Sequence, residues 1–71
     1  MDLVEIGHDL TETVVGRTTA NTVRGIYIAL QVAAERRYGR EGQGWRKKRD
    51  ATVIGWYAVA SDGRCMVARP I

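Results

Sequence analysis

"TTANTVRGIYIALQVAAERRYG", residues 18–39, is the stretch on which the fold turns. Val23, Ile26, Tyr27, Leu30, Ala33, Ala34 and Tyr38 recur at helical spacing and make one apolar face. Thr18, Thr19 and Asn21 are candidate N-caps, because their side-chain oxygens can accept from the free amides of a first turn. Gly39 stands where a helix commonly ends in a left-handed residue. Arg36 and Arg37 fall in the last turn, at the negative end of the helix dipole. Gly25, Ile28, Ala29 and Val32 fall away from the main stripe. A monomer with one sheet needs only one apolar helix face. Ile28 and Val32 are therefore a candidate second interface, against a partner or a second copy; the alternative is that they are ordinary surface apolars.

Strands flank this helix. "LVEIG", 3–7, alternates apolar and polar residues, and "TVVGRT", 13–18, is rich in β-branched residues. With the polar "HDLTE" between them they read as an N-terminal hairpin, the alternative being one strand and a loop. "ATVIGWYAVA", 51–60, is the clearest strand, with Val53, Gly55, Tyr57 and Val59 on one face and Ile54, Trp56, Ala58 and Ala60 on the other. Large residues on both faces point to a sheet covered on both sides. "SDG", 61–63, supplies turn chemistry, with Asp62 and Gly63 suited to positive φ. "RCMVARP" returns as the partner strand and Pro70 ends it. The expected architecture is α+β, in the order β-β-α-β-β: an antiparallel sheet with one helix packed across it. It forms a single domain over residues 1–71, and residues 39–50 are a flexible, basic, Gly-rich loop within it.

A 71-residue chain buries only roughly 60% of the surface its unfolded form exposes, so external support is expected. Cys65 is the single cysteine, which rules out an internal disulfide and fits a reducing compartment. His8 and Cys65 are too few for a structural zinc site, and no cofactor is expected. No apolar run approaches the roughly 20 residues that cross a bilayer. The opening "MDLVEIGHDL" lacks the basic start and apolar core of a signal peptide. Cytoplasmic placement, with no membrane partner, is the expectation.

The net charge is +3, but seven of the eleven Lys and Arg residues lie between positions 36 and 49. "GREGQGWRKKRD", 39–50, places Trp45 before Arg46, Lys47, Lys48 and Arg49. Such a run attracts phosphates or acidic protein surfaces, and Trp45 could stack or anchor. Arg36, Arg37 and Arg40 would extend the patch. The competing reading is a solvated linker. The glycines follow a helix and precede a strand, the reverse of a phosphate-binding loop, so flexibility is their expected role. The sequence shows no helix-turn-helix pattern, zinc-finger spacing or RNP-like aromatic signature, so any nucleic-acid binding would be weakly sequence-selective. Cys65 and His8 make a poor catalytic pair, and the carboxylates are scattered; a non-enzymatic role follows.

The layout of a hairpin ending in "TVVGRTTA", a central "IALQVAAERR" helix and a hairpin "TVIGWYAVASDGRCMVARP" resembles the small accessory proteins of phages and mobile elements. In size and element order it is similar to some anti-CRISPR proteins. The resemblance implies an inhibitor in the cytoplasm of a bacterial host that docks on a CRISPR effector complex and blocks DNA recognition or cleavage. Because this chain is basic, covering an acidic patch or holding DNA nonproductively fits better than imitating DNA.

The leading expectation is thus a non-enzymatic protein that inhibits by occupying the surface of a larger protein or nucleoprotein complex. Its expected contacts are Arg36, Arg37, Arg40, Trp45, Arg46, Lys47, Lys48 and Arg49. The alternatives are a nucleic-acid-binding accessory module, meeting DNA or RNA through the basic loop, and a homodimer or larger homo-oligomer built through Ile28 and Val32.

Overall fold

A computed structural model describes residues 1–50 and 55–70, the side chains of Asp50 and Trp56 excepted. The chain runs β1 (Asp2–Ile6), β2 (Glu12–Arg17), α1 (Val23–Tyr38), β3 (Trp45–Asp50), β4 (Gly55–Ala60) and β5 (Cys65–Arg69). All neighbouring strands pair antiparallel, in the order β2-β1-β5-β4-β3, and α1 crosses one face. The α+β architecture and the β-β-α-β-β frame are as expected, with one strand added. That strand is β3, in the stretch read from sequence as a flexible loop. The start of the expected strand 51–60, including Val53 and Ile54, lies outside the described residues, as does the facing of the Trp56 side chain.

The helix begins at a residue the sequence reading passed over. Thr22, not Thr18, Thr19 or Asn21, is the N-cap: its backbone is extended and its hydroxyl accepts from Gly25 N at 3.1 Å. At the other end Gly39 has φ +97° and its N–H donates to the Glu35 carbonyl at 3.0 Å. Ile26, Leu30 and Ala34 form the buried stripe, with Tyr27, Ala29, Ala33 and Tyr38 packed beside it. Ala29 therefore belongs to the core side, while Val23, expected there, is exposed at the first turn, beyond the reach of the sheet.

Beneath the helix the sheet presents Leu3, Trp45, Ala58, Met66 and Ala68. Register explains the set: Leu3 lies opposite Ala68, Ala58 opposite Met66, and Trp45 opposite Ala60. Alanines in β4 and β5 leave room for the Trp45 ring and the Leu30 side chain. Truncating a fully buried Leu30 or Met66 would cost about 2–5 kcal/mol, a large share of the stability of a small domain.

The sheet is not covered on both sides. Its other face carries no second layer among the described residues, and Val4 at its centre is buried only between flanking strands. The β1–β2 ladder shifts register between Leu3 and Val4, a bulge that places Val15 against the core. In the β4–β5 turn Gly63 has φ +96°, whereas Asp62 keeps negative φ and accepts from Arg64 N at 3.1 Å. No helix among the described residues is long and apolar enough to cross a membrane.

Candidate functional site

The glycine-rich half of residues 39–50 is a hydrogen-bonded turn. Gly44 N and Gln43 N donate to the Arg40 carbonyl at 2.8 and 3.1 Å, and Gly42 N donates to Trp45 O at 2.7 Å. Ser61 ties the turn to the end of β4, its N–H donating to Gly44 O at 2.9 Å and its hydroxyl to Gln43 O at 2.6 Å. Gly44 is required sterically, since a Cβ there would lie 1.6 Å from the Tyr38 carbonyl oxygen. Close approach, rather than looseness, accounts for this glycine.

Trp45 is not available to a partner. It is 0% exposed, lies in the core, and its Nε1 donates to Gly39 O at 2.9 Å. The expected aromatic anchor is instead the bolt that fastens the helix end to the start of β3.

The cations after it are exposed. Trp45 turns inward, so the period of two puts Lys47 and Arg49 on the helix side of β3 and Arg46 and Lys48 on the open side. Arg46 lies opposite Val59, and Lys48 opposite Tyr57. All four side chains remain exposed because β3 is an outer strand. Among the described residues β4 pairs with β5 at Ala58 and Val59, whereas β3 and β4 pair from Trp45 and Ala60 out to Asp50 and Gly55. Beyond Ala58, then, β3 and β4 run on together as a two-stranded ribbon, and this stretch of its basic strand carries Lys48 and Arg49, with Lys47 at its base opposite Ala58.

The expected cluster of cations is divided. Arg36 and Arg37 line a groove against β2, at the opposite edge of the sheet from β3. Arg37 is bound to Glu5, its Nε and Nη2 donating to the carboxylate at 2.6 and 3.1 Å. Arg40 is exposed on the turn that leads into β3. Arg17 pairs with Asp2 at 2.9 Å, Arg69 with Glu12 at 2.5 Å, and Arg64 with Asp62 at 2.8 Å. Among the described residues no carboxylate ion pair involves Arg46, Lys48 or Arg49. Among the described residues, then, Arg17, Arg37, Arg64 and Arg69 are balanced by carboxylates, while Arg46, Lys48 and Arg49 of β3 are not.

Glu5 is the functional-looking residue that the sequence reading missed. It is 7% exposed and accepts from Arg37, from Tyr38 Oη at 2.6 Å, and more distantly from Arg64 at 3.6 Å. The Arg37 hydrogen bonds outweigh desolvation and, with Tyr38, hold its carboxyl at about 2. Burial and the Glu5 carboxylate push the Tyr38 hydroxyl well above its ordinary range, so it stays a donor. The signal was present: Glu5 shares a strand face with Leu3, and a buried Glu needs a cation. Every group in this cluster is satisfied, and Arg64 also lies 5.3 Å from the Tyr38 ring centre, so the cluster acts as a clasp between α1 and the sheet.

His8 Nε2 donates to the Asp62 carbonyl, and Cys65 Sγ lies 3.9 Å from Gly63 O. No group of three or more metal-ligating side chains converges among the described residues. Ile28 and Val32 are 52% and 41% exposed on the outer side of the helix. No family model, curated protein or solved structure matches the chain.

Proposed function

We propose that the chain is a non-enzymatic binding protein whose working surface is the basic β3–β4 ribbon and whose target is a nucleic-acid backbone. One observation carries the reading: four consecutive exposed cations lie on the outer strand β3, the last two of them, Lys48 and Arg49, where the β3–β4 ribbon outruns the rest of the sheet. A major groove admits a two-stranded ribbon, and Lys and Arg on both faces of one strand would meet phosphates on either side of it. Lysines on an outer strand also prevent edge-to-edge association. That alone does not account for four in a row, since β2, the other outer strand, has one cation, Arg17, already paired with Asp2. Contacts to phosphate make binding salt-dependent and weakly selective for sequence.

A second reading is an inhibitor that docks on a nucleoprotein complex, as an anti-CRISPR would. The groove at the β2 edge favours it, because it gives the molecule a place for protein contact apart from the ribbon. The test is fluorescence anisotropy with labelled single- and double-stranded DNA over a salt series. A variant with Arg46, Lys47, Lys48 and Arg49 all changed to Gln runs alongside. Four phosphate contacts give a log–log salt slope of about −3.6 on duplex, and the variant loses most of it. If neither protein binds at moderate salt, the ribbon's target is acidic protein and the second reading stands first.

A further inference from the structure

The helix does not sit over the middle of the sheet. It packs mainly on β3, β4 and β5 and leaves a gap on its β2 side. The gap is a groove of about 470 Å³, with Leu3 and Val15 in its floor, Ala29, Val32 and Ala33 in its wall, and Arg36 at its rim. Three further features bear on its use. β2 is an outer strand, so one side of its backbone has no neighbouring strand among the described residues. Unlike β3 it has no row of cations to repel an incoming strand, and its end charges Glu12 and Arg17 are held by Arg69 and Asp2. Gly16, opposite Leu3, also lines the groove, yet a Cβ there would make only ordinary contact, 3.5 Å from Leu3 Cδ1. Nothing in the fold demands a glycine at that place. Its effect is to lower the groove floor and let another backbone come close.

Charge selects the occupant. Arg17 and Arg37 on the rim are neutralised by Asp2 and Glu5, while no carboxylate pairs with Arg36 among the described residues. A second copy would bring another arginine-rimmed groove against this one. An acidic segment would complete it. We propose that the groove takes an extended peptide segment of a partner protein that alternates apolar residues and carries a carboxylate. The segment adds to β2 as a sixth strand, buries its apolar side chains against Leu3, Val15 and Ala33, and sets its carboxylate on Arg36. Main-chain hydrogen bonds to β2 supply affinity and the groove supplies selectivity. This site is independent of the ribbon and of whether the ribbon meets DNA.

The experiment is selection of phage-displayed random twelve-residue peptides on the immobilised full chain, followed by titration of the enriched peptides into isotopically labelled protein. Enriched peptides should alternate apolar residues and carry Asp or Glu, with amide shifts confined to residues 12–17 and 29–36. Gly16→Val fills the floor while favouring the strand, and it should weaken binding at least tenfold. Arg36→Glu should weaken the acidic peptides similarly. Should Gly16→Val fail to fold by circular dichroism, Val32→Glu on the exposed wall takes its place. The proposal is overturned by no enrichment above the bare support, by peptides that bind the groove variants as tightly as wild type, or by shifts centred on β3 or the open sheet face.

Discussion

Arg37, in the last turn of α1, grips Glu5, in the middle of β1, through two hydrogen bonds of 2.6 and 3.1 Å across 32 residues of chain. The pair joins the C-terminal end of the only helix among the described residues to a central strand. The Tyr38 hydroxyl makes a third bond to the same carboxylate. The acid stability of the fold follows from it. The carboxyl drops from 4.5 to about 2 on folding, so between those values the folded state binds fewer protons than the unfolded state. The stabilisation, up to about 3 kcal/mol, is complete above pH 4.5 and is lost as pH falls toward 2. Urea melts of wild type and Glu5→Gln between pH 7 and pH 2 check this. The variant should be less stable by about 2 kcal/mol at pH 7, and the difference should close on acidification. A gap that does not change with pH would show that Glu5 acts through packing alone.

The Gly44 turn and the Trp45 ring act together to set the start of β3. Gly44→Ala drives a methyl into the Tyr38 carbonyl, so the turn must open, with a loss of more than about 2 kcal/mol. Trp45→Phe keeps most of the buried area but removes the donor to Gly39 O, a loss of about 1–2 kcal/mol. Because the ring is buried, Trp45→Phe should leave DNA affinity unchanged once the protein is folded. A drop in affinity comparable to that of the Gln variant would return Trp45 to the role of an exposed anchor.

Leu10 is a site of avoidable strain. Its φ is +67°, and its side chain is 78% exposed, so no burial offsets the left-handed backbone. Leu10→Asn should raise stability by up to about 1 kcal/mol, read as a higher urea midpoint at unchanged m-value. A lower midpoint would mean that the leucine makes contacts worth more than the strain.

The parts most legible in the sequence were α1, β4 and β5, each with one buried and one wetter face. The helix announced itself through Ile26, Leu30 and Ala34, and β1, β2, β4 and β5 through alternation and turn residues. β3 was hidden because an outer strand exposed on both faces needs no apolar alternation, and four cations mask any period. Trp45 was misplaced for the same reason: beside that run it looks like part of a binding patch, and only the pairing with Ala60 turns it inward. Of the expected contacts, Arg46, Lys47, Lys48 and Arg49 stand together on one strand, while Arg36 and Arg37 went to the far side of the helix. That separation depends on how α1 sits on the sheet, which no local pattern encodes.

Edge protection by the cations has its own consequence. Lys47→Val with Lys48→Val turns β3 into an apolar outer strand with unpaired backbone groups, the arrangement that templates association. Sedimentation should show larger species for this variant at concentrations where wild type does not change. Added salt should narrow the difference by screening the wild-type charges. If the variant sediments as wild type does, the β3 backbone is protected by shape, and the cations serve a ligand alone.

The two faces of β3 give the sharpest test of how a polyanion would be held. Arg46 and Lys48 point to the open side of the sheet, while Lys47 and Arg49 point to the helix side. A ribbon seated in a groove would touch phosphates with both pairs. Changing either pair to Gln should then lower the salt slope by about 2 and weaken duplex binding to a similar degree. A strand laid across the open face beside Tyr57 would use Arg46 and Lys48 only. In that case their loss abolishes binding, the other pair is silent, and single strands bind better than duplex because unpaired bases can stack on Tyr57. Equal effects from both pairs with preference for duplex establish the ribbon in the groove. One silent pair moves the binding surface onto the open face of the sheet.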